Sequence, residues 1–347
     1  MTRRPAKDLL VPAALLLAGL LALAPTEGAL RSSRAMMPAA EVGTPWVRYV
    51  MVGLAGFRGV VSEILWLRAD RLQHQGRYFE LVQLSDWINA LDPRATEAWV
   101  FNAWNLSYNV SAMLPDPAAR LSWVDAGISL LRDRAIPANP SSPQLYRELG
   151  WLYQNKIGGS GDAAHLTYKL ELARENTPMA LPRPSARLST TLEPDVVADL
   201  ERRFGTLDWR VPNTHALYWA WKGLALQPTG FQREALRRMV QQNLAELTLA
   251  GRFTGDLSRD QYRTEPNFDV LPGLYAFFEE TVRENPEELR IYCIFLSTIV
   301  HRASRAGRDD DARLAYDRLA KLLPRLDDPP PLPSFQSLAE GHPIHGL

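Results

Sequence analysis

The strongest local oddity in the sequence is Leu207-Asp208-Trp209-Arg210-Val211-Pro212-Asn213-Thr214-His215, which leads straight into Ala216-Leu217-Tyr218-Trp219-Ala220-Trp221. A carboxylate, a guanidinium and an imidazole beside an aromatic wall could bind a polar ligand or move a proton. The same side chains, Asp208, Arg210 and His215, could equally cap the following helix and brace a loop, the usual role of a polar stretch entering a helix. Elsewhere the chemistry thins out. Gly158-Gly159-Ser160-Gly161 lacks the Lys-Ser/Thr that reaches phosphate and magnesium, and no His-Glu-x-x-His helix or nucleophile elbow is present. The single cysteine, Cys293, sits in the apolar run Ile291-Tyr292-Cys293-Ile294-Phe295-Leu296 and reads as core; alone, it excludes an intrachain disulfide. His342 and His345 are too few for a metal site. Neither a metal nor a cofactor is expected, and catalysis is not the leading expectation.

Thirty-nine Lys and Arg balance 39 Asp and Glu, and 46% of the 347 residues are apolar. That is a globular composition, which excludes wholesale disorder and a polytopic membrane protein. Zero net charge with no basic block argues against a nucleic-acid partner.

The N-terminus has its own logic. Arg3, Arg4 and Lys7 precede an apolar run from Leu9 to Ala24, the layout of a secretion signal or signal anchor over residues 1–26. A span takes about 20 residues, with about 17 as the lower end, so the run needs help from its flanks. Ala22-Leu23-Ala24 would suit a signal peptidase, but Pro25 beside the cut disfavours cleavage. A retained single-pass anchor in the cytoplasmic membrane through residues 9–24, with the body on the extracytoplasmic side, is therefore expected ahead of a secreted or periplasmic chain. Residues 27–45 read as a linker. In the stretch from Trp46 to Leu67, Arg48, Arg58 and Glu63 argue against a second span, and Gly53, Gly56 and Gly59 recur at a spacing that suits close helix packing.

The elements that must position any site are helices. Leu121, Val124, Ile128 and Leu131 fall on one helical stripe, and Leu236, Met239, Val240, Leu244 and Leu247 on another, while no sustained alternation asks for strands. Pro194-Asp195 suits a first turn, Gly205 a helix stop, and Ser258 with Gln261 a capping box. Gly76 and Pro93 lie 17 residues apart, as do Gly307 and Pro324, and Leu65 and Trp99 lie 34 apart. Tyr146-x2-Leu149-Gly150-x2-Tyr153 follows, and Gly307, Ala312, Tyr316 and Pro324 close the series.

These motifs resemble the tetratricopeptide repeat, a pair of antiparallel helices of 34 residues. The resemblance covers about 62–170 and 290–324. It departs at the interval of 47 residues between Trp99 and Tyr146, at Ala103 and Val300, which stand where a glycine is expected, and between Thr177 and Asn267, where no period is detectable. The implied fold is all-α: an antiparallel helix-pair α-solenoid with repeats at 46–176, a degenerate region at 177–289, a closing hairpin at 290–324, and an extended Pro-rich tail at 325–347. Stacked in that way, first helices would line a concave groove with Trp66, Asp70 and Gln73, then Trp104, Ser107 and Tyr108, then Arg147, Trp151, Gln154 and Asn155. Such a wall suits a protein or peptide partner. The alternative is that the tryptophans fill the core between helices.

Overall fold

The computed structural model describes residues 58–177 and 192–347. The apolar run at 9–24, the linker at 27–45, and Gly53 and Gly56 lie outside the described residues. Among the described residues no helix is long and apolar enough to cross a membrane. Among the described residues the fold is all-α but for one small hairpin of strands, and the chain divides into two compact units, one ending at Asn102 and the other beginning at Ala103.

In the first unit, α1 (Arg58–His74) pairs with α2 (Tyr78–Leu91), and α3 (Thr96–Trp104) begins. Leu72, Leu81, Leu84, Ile88 and Ala98 form its core, with Leu65 and Trp66 at the edge. The turn between α1 and α2 needs a residue with positive φ, and Gly76 supplies it at 68°. Its N–H donates to the Gln73 carbonyl at 3.0 Å and that of Arg77 to Leu72 at 3.0 Å, which satisfies two carbonyls of the last turn.

The second unit begins in α3, which runs on into a π-turn, π1 (Asn105–Val110). Next come α4 (Pro117–Ser129) with π2 (Leu130–Ala135) and α5 (Ile136–Ala138), α6 (Pro143–Trp151) with π3 (Leu152–Ile157), and α7 (His165–Glu175). The stripe Leu121, Val124, Ile128 and Leu131 is buried. Three consecutive helical segments thus carry an inserted wide turn, a feature that recurs at functional sites. Helices α8 (Pro194–Phe204), α9 (Pro212–Ala225) and α10 (Gly230–Ala250) follow, with α9 packed against α6, π3 and α10.

Three expectations are corrected here. Strands do occur: β1 (Arg252–Phe253) pairs antiparallel with β2 (Thr264–Glu265), each too short to leave an alternating pattern. Ser258 does not cap a helix; it lies inside a short 3-10 turn, where its N–H donates to Asp256 Oδ1 at 2.9 Å. The C-terminal tail is not simply extended. After α11 (Leu271–Glu284), α12 (Leu289–Arg305) and α13 (Asp309–Leu322), it forms α14 (Phe335–Ala339) and folds back on α12 and α13. Leu338 and Ile344 are buried, Tyr316 donates to the Pro333 carbonyl at 2.9 Å, and Arg290 donates to that of Gly346 at 2.7 Å. Apolar seats on the last hairpin explain why the segment does not stay in solvent. The turn between α12 and α13 repeats the first one: Gly307 has φ 70°, its N–H donates to Ser304 at 3.1 Å, and that of Arg308 to Ala303 at 2.9 Å.

Candidate functional site

Indole rings flank two of the π-turns. Trp104 stands directly before π1 and Trp151 directly before π3, and their rings stack with centroids 6.3 Å apart and planes 20° apart. Tyr108, one turn along from Trp104, tilts against it at 4.8 Å. Trp104 is held in place from below: its N–H donates to Glu148 Oε2 at 3.0 Å, and Glu148 also accepts from the Arg147 guanidinium. Glu148 is buried, so two donors compensate its loss of water. Trp151 by contrast keeps 38% of its surface exposed. Arg147 also lies over the ring of Phe231 at 5.5 Å, and Phe231 is the most exposed large apolar side chain of the described residues.

Beneath this surface lies a buried ionic group. Lys156, at the far end of π3, has its ammonium 4.9 Å from the centre of the Tyr108 ring and donates to Asp162 at 2.5 Å. Asp162 also accepts from Arg120 at 3.0 Å and from the Ala164 N–H at 2.8 Å. Burial alone would raise the Asp162 carboxyl, but these hydrogen bonds outweigh it and hold the group at about 2. Burial pushes the Tyr108 hydroxyl up to about 12, so it stays neutral.

The residues named from sequence separate as follows. Trp104, Tyr108, Arg147 and Trp151 come together. Gln154 joins an amide chain, accepting from Asn243 at 3.1 Å and donating to Gln242 at 3.3 Å, and Asn155 is exposed beside the Trp151 carbonyl. Ser107 is corrected: it does not face a groove but is fully buried against α4, where a Cβ on Gly127 would fall 2.1 Å from its Oγ. In the first unit, Trp66 is half-buried and meets Phe101 edge to face at 5.4 Å, Asp70 pairs with His74, and Gln73 is exposed. Sequence reading missed Glu148, Lys156 and Phe231. A carboxylate one position before the buried Leu149 was a signal for the first, and membership of a set of only five lysines was one for the second.

Asp208, Arg210 and His215 are spent on local structure. Arg210 grips Asp208 with two hydrogen bonds of 2.9 and 2.7 Å, and Asp208 also accepts the Phe253 N–H at 2.9 Å, which pins β1. Burial opposes the Asp208 charge, yet Arg210 and the backbone donors hold the carboxyl below its ordinary range. His215 braces the same loop through its backbone, at Trp209. It is fully buried, stacks on Tyr153 at 5.1 Å and faces the Trp209 carbonyl through Nε2 at 2.8 Å, so the neutral ring carries its hydrogen there.

Burial pushes His215 down to about 4 from 6.5. Between those values the unfolded chain holds a proton that the folded chain refuses, so stability is full above pH 6.5 and declines as pH falls toward 4. The expected decline is about 3 kcal/mol. Urea unfolding across this range should show it, and His215→Gln should flatten that part of the profile.

No group of three or more His, Cys, Asp or Glu among the described residues is placed to hold a metal. Searches against protein-family models and against curated protein sequences return no match.

Proposed function

We propose that the protein is a membrane-anchored, tetratricopeptide-like helical scaffold that holds a protein or peptide segment on the Trp104–Trp151 surface, without catalysis of its own. The carrying observation is that Trp151 remains solvent-exposed while its ring stacks on an indole fixed by a buried carboxylate. A preorganised aromatic surface loses little freedom on binding, and Trp, Tyr and Arg supply most hot-spot energy at interfaces. The charged groups around it are already paired with one another, which suits contact with a partner better than proton transfer. The two matching glycine turns support a repeat architecture, and hairpins stacked as a solenoid would leave such a surface free. The apolar run at 9–24 would tether this body to the outer side of the cytoplasmic membrane.

A photo-crosslinking amino acid at Asn155, beside Trp151, tests the proposal in intact membranes. Discrete protein adducts are expected. Trp104→Ala combined with Trp151→Ala should weaken capture at least ten-fold, a loss of about 1.4 kcal/mol or more. Adducts that survive the double substitution unchanged, or no protein adduct at all, would refute it.

A further inference from the structure

We infer that the outer stripe of α1 is a second membrane contact, one that lies on anionic lipid headgroups; the inference rests on residues 9–24 being a retained anchor. On a helix, Ile64, Leu67, Arg68 and Arg71 follow the i, i+3, i+4, i+7 spacing of a single stripe. Leu65, Ala69 and Leu72 turn the other way, toward the core of the first unit. Ile64 is 59% exposed and Leu67 62%, although both are large aliphatic side chains that water disfavours.

The guanidiniums beside them stand apart from those arginines of the chain that are held in ion pairs. Arg77, Arg120, Arg147, Arg174, Arg202, Arg203, and others further on each reach a carboxylate. Arg68 and Arg71 are exposed, and neither has an ion-pair partner among the described residues. The nearest acids on α1 are Glu63 and Asp70, which fall on the neighbouring stripe.

Aliphatic side chains flanked by exposed arginines without an ion-pair partner among the described residues match an interfacial helix, whose apolar atoms enter the headgroup boundary while the cations meet phosphates. Charge complementarity selects anionic lipid over a zwitterionic surface. Only 33 residues, 25–57, separate the apolar run from α1, so an anchored chain would keep α1 near the bilayer at high effective concentration. A contact too weak to hold a free protein is then populated.

The test uses the full chain in lipid nanodiscs. With Cys293→Ala, a single cysteine is introduced as Leu67→Cys or, on the opposite side of the same helix, as Gln73→Cys, and labelled with an environment-sensitive fluorophore. In discs containing phosphatidylglycerol, the label at 67 should shift to the blue and be quenched by shallow nitroxide lipids. The label at 73 should stay aqueous, as should both labels in phosphatidylcholine alone. Arg68→Glu with Arg71→Glu should return position 67 to water. A label at 67 that stays aqueous in a chain retained by the disc overturns the contact and leaves the anchor standing. Loss of the chain from the disc removes the anchor and the inference together. Equal burial at 67 and 73, or equal burial with and without phosphatidylglycerol, also overturns it, as does burial at 67 seen only in native membranes, which would assign the stripe to a protein.

Discussion

Replacing Asp162 with alanine is expected to lower the stability of the second unit by about 3–5 kcal/mol, because it strands a buried cation. The Lys156 side chain is only 4% exposed, and the carboxylate is the counter-charge it touches; Arg120 shares the same group. Desolvated charges are tolerable only while paired, so the cost comes from the ammonium left behind rather than from the missing carboxylate. Asp162→Asn should cost nearly as much, since it keeps the shape and removes the charge. Combining Asp162→Ala with Lys156→Met should recover a large part of the loss, and urea unfolding of the wild type, Asp162→Ala, Lys156→Met and the double substitution reads the coupling directly. The acid limb adds an independent check. The carboxyl falls from an ordinary 3.8 to about 2 in the folded chain, so its contribution is complete above pH 3.8 and is lost as pH falls through about 2. Asp162→Ala should flatten that limb. A double substitution no better than Asp162→Ala would show that the pair is not what holds π3 to its surroundings.

Gly205→Ala should be almost as severe, at about 3–5 kcal/mol, for two reasons that add. Gly205 ends α8 with φ 86° and ψ −175°, a region that side chains other than glycine avoid. It also leaves no room, because a Cβ there would sit 2.4 Å from the Asp269 carbonyl oxygen, which belongs to backbone and cannot swing aside. Gly76 and Gly307 separate the two effects. Both have positive φ, yet nothing lies within 4 Å of the added carbon, so alanine there should cost about 1–2 kcal/mol. Thermal unfolding that ranks Gly205→Ala level with Gly76→Ala would mean that α8 does not pack as closely on the Asp269 backbone as described.

What the sequence disclosed follows from which signals are local. Leu121, Val124, Ile128 and Leu131 announce a buried stripe because burial depends on spacing along one helix, and Gly76 and Gly307 announce turns because only glycine suits them. The π-turns were illegible for the opposite reason. Counting at 3.6 residues per turn assumes that no residue is inserted, and one insertion turns everything after it by about 100°. Ser107 shows the result: it lies inside π1 and faces Gly127, although analogy with regular repeats assigns it to an open groove. Trp104 and Trp151 stand before their insertions, and their partnership was readable. The buried ionic group was hidden because Arg120, Lys156 and Asp162 come from separate segments, and only tertiary packing brings them to one place. Asp208 and Arg210 illustrate the limit of composition: the residues of a polar site and of a loop brace are the same, and the second arrangement is the one formed.

The folded-back terminus makes two routine manipulations unequal. Arg290 holds the Gly346 carbonyl and His301 that of Ala339, so the last residues run back along α12 toward its start. A purification handle fused after Leu347 would therefore emerge beside the first turn of α12. Trimming the chain after Asp328 would instead strip Leu338 and Ile344 from their seats and leave a greasy scar, so the shortened protein should clump where the tagged one does not.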